Sequence, residues 1–418
     1  MSEIPINKQK IINDPVYGFI GLPFEIVFDL FEQPYFQRLR RIRQLGLTHY
    51  VYPGANHTRF QHALGATYLM NSAIEVIRSK GHEITEEESE AASIAILLHD
   101  IGHGPFSHAL EHSIIEGTNH ENLSLLFMNR LNVLYNGRLD LAIRIFQNKY
   151  HKNFLHQLVS SQLDMDRLDY LRRDSYFTGV TEGIVGSDRI IKMLNVKDDQ
   201  LVVDIKGIYS IEKFLVSRRL MYWQVYFHKT VISAENLLVQ VLRRAKYLSE
   251  MGADLFASPA LSYFLKNKVE AQHFDSQGII DVLDLYSQLD DNDIMVSAKV
   301  WMSHEDKVLS ILSTMMINRN LFRIEMKNKE FNSDRVQKTR DYLAEFFNLS
   351  LEDTRYLITE GSISNYAYNS LDDNIKIMMK NGECIDIAEV SDMLNVTVLS
   401  RTVKKHFLCY PKGIEFPF

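Results

Sequence analysis

The stretch TEEESEAASIAILLHDIGHGPFSH, residues 85–108, decides how this chain is read. Thr85 followed three positions later by Glu88 is a capping box, so a helix begins there. Ala91, Ala92, Ile94, Ala95, Leu97 and Leu98 make that helix apolar on most of its surface, and Gly102, Gly104 and Pro105 end it. His99 follows Ala95 and Ala92 at spacings of four and seven, which turns it inward. Asp100 closes the apolar run, and a buried carboxylate without a cation is very costly, so it needs a partner. A further short helix is expected from about Ser107 to Ile115.

Working outward, residues 62–78 give the clearest helical period, with Ala66, Leu69, Met70, Ala73, Ile74 and Ile77 on one face and His62 on that same face. Nine of the 15 histidines fall between His49 and His120, which concentrates titratable groups around these two helices. A third segment, SSQLDMDRLDYLRRDSYFTGV at 160–180, alternates acid and base and aligns Asp166 with Tyr170, with Arg173 and Asp174 one turn on. Alone it reads as a solvated, salt-bridged face. Two imidazoles and a carboxylate converging from two helices suit a divalent metal. The alternative is a pair of core histidines hydrogen-bonded to Asp100.

The 418 residues carry 46 Lys plus Arg against 53 Asp plus Glu, a net charge of −7, with 46% hydrophobic residues. That excludes a mostly disordered chain and disfavours a nucleic-acid coat, though not a local basic pocket. Cys384 and Cys409 have no zinc or redox spacing and fit a reducing cytosol, so a cytoplasmic location is expected. No apolar run is long enough to span a membrane.

KIINDPVYGFIGLP (10–23) reads as two short extended pieces, followed by helical pattern from Pro23 to about Leu45 with a break at Gln33–Pro34. Further helices are expected near 120–133, 139–149, 154–174, 208–250 and 298–317, with 265–300 mostly helical. After Asn318, LFRIEMK, RYLITEG, NIKIMMK and CIDIAEV read as strands, with a helix at 333–347. The expected fold is therefore mainly α, a large helical domain at 1–317 with a small α/β lobe at 318–418.

RFQHALG, LLHDIGHGPFSH and LDMDRLDYLRRD resemble the signature blocks of the HD-domain metal-dependent phosphohydrolases. INDPVYGFIGL and PYFQRLRRIRQLG…YVYPGANHTRFQH narrow the resemblance to the deoxynucleoside-triphosphate triphosphohydrolase branch. That branch includes the animal enzyme with SAM and HD domains, although no SAM domain is expected here. The resemblance implies one divalent metal (Mn, Fe, Ni, Mg or Zn) held by His62, His99, Asp100 and Asp166, with Asp164 a rival for the last place. His103, His108 and His120 would line the phosphates or donate a proton, and Glu111 and Glu121 would orient an imidazole. Arg59, Arg167, Arg218 and Lys229 would bind the triphosphate. Gln44, Leu45, Tyr170 and Asp174 would read the sugar, with Tyr226 packed on sugar or base and Phe227 departing from the polar residue of the animal enzyme. Lys10, Asn13, Gln37 and Arg40 match a regulatory nucleotide pocket built at subunit contacts, where Glu32 stands for an aspartate, which implies a homo-oligomer. The implied activity is hydrolysis of dNTPs, dGTP by family habit. Other HD-type phosphohydrolase activities, on a guanine alarmone or a nucleoside monophosphate, and a non-catalytic nucleotide sensor or nucleic-acid-binding protein stand as alternatives.

Overall fold

The computed structural model describes residues 10–106, 113–274, 280–365, 368, 374–392 and 402–414. The expected helix from Ser107 lies largely outside them.

Strands β1 (Ile11–Asp14) and β2 (Gly18–Gly21) form an antiparallel hairpin in which Asp14 faces Gly18. Asp14 Oδ1 accepts the N–H groups of Val16 (2.9 Å) and Tyr17 (3.0 Å), closing the turn around Pro15. Helix α1 (Glu25–Phe31) stops before Pro34, which starts a separate short turn (Pro34–Gln37). The two central helices are α2 (Arg59–Ser79) and α3 (Glu86–Leu98), each opened by a capping box, Thr58 with Gln61 and Thr85 with Glu88. Helix α4 (His120–Leu134) is N-capped by Asn119.

Three long helices expected from the periodicity are broken, the third (298–317) at 302–306, where Asp306 caps a new helix at Lys307. Residues 154–174 divide into Asn153–Val159 and α5 (Met165–Thr178), because Asp164 turns its side chain back onto the N–H of Arg167 as an N-cap. Residues 208–250 divide into α6 (Ile208–Met221), a π-helical turn at Tyr222–Tyr226, and α7 (Lys229–Glu250), whose N-cap is His228. Helices α8 (Asp291–Trp301), α9 (Lys307–Ile317) and α10 (Ser333–Phe347) follow.

The hairpin of β3 (Leu194–Lys197) and β4 (Gln200–Asp204) was not expected from the sequence. Its turn residues, Asp198 and Asp199, both have positive φ (52° and 54°), a conformation usually advertised by Asn or Gly. In the C-terminal region β5 (Arg323–Lys327), β6 (Thr359–Asn365) and β9 (Val403–Tyr410) make an antiparallel sheet in the order β5-β9-β6. Strands β7 (Lys376–Met378) and β8 (Cys384–Asp386) do not join it. β7 pairs in parallel with β4, giving the order β8-β7-β4-β3, so this part of the C-terminal region is built into the earlier one. CIDIAEV is only half strand, because Asp386 caps a short helix at Ile387–Val390.

The protein is thus mainly α, with small sheets toward the C-terminus. Among the described residues no helix is long and apolar enough to cross a membrane. One continuous apolar core contains the inner faces of α2, α3, α5 and α7, which fixes those four helices as the scaffold for the site.

Candidate active site

Helix α2 brings His62, the end of α3 brings His99 and Asp100, and the first turn of α5 brings Asp166. His62 Nε2 and His99 Nε2 lie 3.3 Å apart, and Asp166 Oδ1 is 3.1 Å from the first and 3.6 Å from the second. Each imidazole has an acceptor on its other nitrogen: Asp169 Oδ2 at 2.7 Å from His62 Nδ1, and the Ile96 carbonyl at 2.6 Å from His99 Nδ1. Those acceptors keep the protons on Nδ1 and turn both Nε2 lone pairs toward one point. Three ligand atoms within 4.8 Å of one another repel unless a cation or a proton lies among them. Burial pulls His62 down, but its hydrogen bonds to Asp166 and Asp169 outweigh that and lift it to about 10. The donor set therefore fits a divalent metal.

Asp100 sits beside this group, with Oδ1 3.5 Å from His99 Nε2 and Oδ2 3.8 Å from His62 Nε2. Its bonds go to Arg59 Nη1 (2.5 Å) and His103 Nε2 (3.2 Å). Burial raises its pKa, yet the hydrogen bond with His103 and the charges of His99 and Arg59 hold it well below the usual carboxylate range. His103 goes the other way: burial and then Arg59 push it down to about 3, so it is neutral at pH 7. Its ring stacks on His120 with centroids 3.9 Å apart. Asp164 is fully engaged as a cap, accepting from Ser161 N (2.8 Å) and Arg167 N (2.6 Å), and so is turned away from the imidazoles.

The helix approach that makes this possible depends on Gly65. A Cβ there would lie 2.0 Å from Asp169 Oδ1 and 2.2 Å from Arg173 Nη2. Arg173 binds Asp169 through Nε (2.9 Å) and Asp14 through Nη1 (2.7 Å), which locks the β1–β2 hairpin to the helix carrying Asp166.

A cavity of about 840 Å³ opens on the cluster. Gln44, Leu45, Arg59, Asp100, His103, His120, Asp166, Arg167, Tyr170, Asp174, Tyr226 and Phe227 all line it. Asp174 is held from both sides, by His57 Nε2 on Oδ1 and by the Tyr226 hydroxyl on Oδ2, each at 2.7 Å. Arg218 is buried behind this wall, its Nε and Nη1 without hydrogen-bond partners among the described residues, and its charge acts on Tyr170. Lys229 and Glu121 are exposed and do not line the cavity. His108 and Glu111 lie outside the described residues. The residues expected at a regulatory site gather elsewhere on the surface. Lys10 sits 3.1 Å over the Phe28 ring, Arg40 Nε donates to Gln37 Oε1 at 2.7 Å and lies over Phe60, and Glu32 faces Arg40. Asn13 is exposed on β1.

Sequence reasoning missed Asp169, His57 and the far wall of the cavity, where Asn236, Gln240 and Arg243 of α7 meet Thr359, Ser362 and Phe407 of the C-terminal sheet. Asp169 carried a signal, the i,i+4 spacing to Arg173. The far wall carried none, since its two halves are over a hundred residues apart.

The HD-domain family model matches residues 59–170, the span holding all four expected ligands, and a model of the HD-associated region matches 185–256. An uncharacterised protein of Bacillus subtilis, YwfO, is 31% identical over 98% of this chain and 94% of its own length. The chain belongs to the HD-domain phosphohydrolase superfamily. The crystal structure of a phosphohydrolase from Bacteroides thetaiotaomicron is similar to this HD protein at 54% identity and a TM-score of 0.93, covering 96% of this chain and 100% of that one. A Dictyostelium discoideum protein named deoxynucleoside triphosphate triphosphohydrolase SAMHD1 homolog is 30% identical over 84% of this chain and 75% of its own. HD domains are metal-dependent, and the cluster of His62, His99 and Asp166 is where this HD domain can hold an ion.

Proposed function

We propose that the protein hydrolyses deoxynucleoside triphosphates, dGTP foremost, to a deoxynucleoside and inorganic triphosphate. The observation that carries this reading is the shared cavity. Gln44, Leu45, Tyr170 and Asp174 face the same space as the acidic and histidine cluster and as Arg59 and Arg167. The name of the Dictyostelium relative supports the same substrate class. In this reading His62, His99, Asp100 and Asp166 hold one divalent ion. Such an ion supplies Lewis acidity, making a bound water a better nucleophile and polarising a phosphate oxygen.

The chain's own residues do the rest. Asp169 and the Ile96 carbonyl keep both imidazoles in the ligating tautomer. Arg59 and Arg167 hold the phosphates as one unit, with Arg218 adding positive charge from behind the wall. His120, or His108 beyond the described residues, protonates the 5′ oxygen, because an unprotonated alkoxide is a poor leaving group. His103 lines the phosphates, orients Asp100 and packs on His120. Tyr170 and Leu45 crowd the 2′ carbon and exclude a ribose hydroxyl. The surface around Lys10, Asn13, Glu32, Gln37 and Arg40 takes an effector nucleotide at a contact between copies of the chain.

The test is incubation of the purified protein with each dNTP and Mn²⁺ in ¹⁸O-water. Labelled triphosphate and unlabelled deoxynucleoside are expected. Orthophosphate or pyrophosphate as first product, or turnover of monophosphates alone, would defeat the reading. For the effector surface, Arg40→Ala should abolish nucleotide-dependent gain in mass and rate without loss of metal. A rate independent of any second nucleotide would leave these residues structural.

A further inference from the structure

We infer that Asp291 is a positioning residue that sets the spacing between the two walls at the sugar end of the cavity, by accepting a backbone N–H from each. The inference rests on the dNTP reading above for its effect on substrate, but the contact itself does not. Asp291 opens α8, far in sequence from both walls. Its Oδ2 accepts the N–H of Arg43 at 3.0 Å, and its Oδ1 accepts the N–H of Phe106 at 3.2 Å. Arg43 immediately precedes Gln44 and Leu45, while Phe106 comes three residues after His103 and itself lines the cavity.

The first wall is already fixed on its other side. Gln44 N donates to His57 O and Arg59 N to Ile42 O, each at 3.0 Å, tying the loop to the start of α2. The second wall has a strained anchor point. Phe106 holds φ at +49°, a region that non-glycine residues seldom occupy. Its ring lies over Gly46, with Cδ1 3.8 Å from where a Cβ on that glycine would stand. Asp291 thus connects the sugar-facing loop to the strained residue opposite it, through hydrogen bonds to main-chain N–H groups. The carboxylate side chain is only 4% exposed, an expensive place for a charge. Burial raises it to about 6, against the N–H groups of Arg43 and Phe106 and the Arg43 guanidinium, which favour ionisation. Two acceptor oxygens are what the geometry demands. An amide at this place would set an N–H group against one of the two backbone donors.

Asp291→Asn tests this with little change in volume. Backbone amides in the segments 41–46 and 103–106 should exchange hydrogen at least about tenfold faster than in the parent, with the rest of the protein unaltered. In the same variant the kcat/KM preference for a deoxynucleoside triphosphate over its ribo counterpart should fall about tenfold, with kcat within about threefold and metal content unchanged. Phe106→Ala keeps the Asp291 contact but removes the wall. It should reproduce the loss of preference without faster exchange at 41–46, and Asp291→Ala, which removes both acceptor oxygens, carries the exchange test if Asp291→Asn does not fold. Parent-like exchange in both segments, or an unaltered preference in either folded variant, would overturn the inference. Failure of the parent protein to hydrolyse any dNTP would sink the functional reading instead, while the exchange measurement would still decide whether Asp291 holds the walls.

Discussion

Asp169 lies 2.7 Å from His62 Nδ1 and simultaneously receives two bonds from Arg173, through Nε at 2.9 Å and Nη2 at 3.0 Å. The carboxylate that fixes the tautomer of a metal-facing imidazole is therefore itself fixed by a buried guanidinium. Asp169→Asn should weaken divalent-metal binding by about 10- to 100-fold, since the amide offers one acceptor where two are used. Competition against a chelator measures this, and unchanged affinity would remove Asp169 from the metal centre.

His99→Ala and Asp166→Ala should each lose stoichiometric metal while keeping the helical circular-dichroism signal. Asp164→Ala should do the reverse. It should keep its metal but lose about 1 kcal/mol or more of stability through the missing N-cap. Metal analysis beside thermal melts separates the two aspartates, and metal loss in the Asp164 variant alone would reverse the assignment.

Tyr170→Ala should raise activity on GTP relative to dGTP by about 10- to 100-fold in kcat/KM, the range expected when a steric wall is removed from a pocket. The same ratio in parent and variant would mean that Tyr170 does not read the 2′ position.

Arg244 binds Asp306 at 2.6 Å and Asp353 at 2.8 Å, joining α7 to the N-cap of α9 and to the turn at Asp353–Tyr356. Arg244→Met should cost about 3 kcal/mol, because two carboxylates lose a mostly buried cation. Burial raises the Asp306 pKa, but the Arg244 bond outweighs it and leaves Asp306 below its ordinary value. Its contribution is therefore present above about pH 4, near the unfolded value, and is lost as pH falls through the depressed folded value. The parent should lose stability on acidification more steeply than Arg244→Met, and parallel urea midpoints down to acid pH would contradict this.

Much of the centre was legible in the sequence because its chemistry is written in helical period. His62 and His99 stand on inward faces where an apolar residue is the default, and the Thr85–Glu88 box marks the helix that delivers the second of them. The resemblance favoured Asp166 over Asp164, and Asp164 uses both its oxygens on the backbone N–H groups of Ser161 and Arg167. Breaks within long helices were not legible. They arise from side chains, Asp164 and His228, that bond to nearby backbone in a way periodicity does not register. The β3–β4 hairpin hid behind an Asp198–Asp199 turn lacking glycine or asparagine. Lys229 carried the right charge for a phosphate ligand but projects to solvent, since sequence gives charge and not direction. Asp291 had no signal of any kind, because its partners are main-chain amides, which every residue but proline possesses.

The parallel pairing of β7 with β4 has a consequence for the order in which the protein can be made. Val202 and Val203 on β4 leave the ribosome roughly 170 residues before Lys376 and Ile377, the residues that cover their edge. During vectorial synthesis at about 5–20 residues per second, that apolar edge stands open for on the order of ten seconds or more. An uncovered edge of this kind invites pairing with another nascent chain. Stalled or truncated products ending between residues 318 and 375 should therefore aggregate and depend on holdase chaperones, even though every expected metal ligand has already been made.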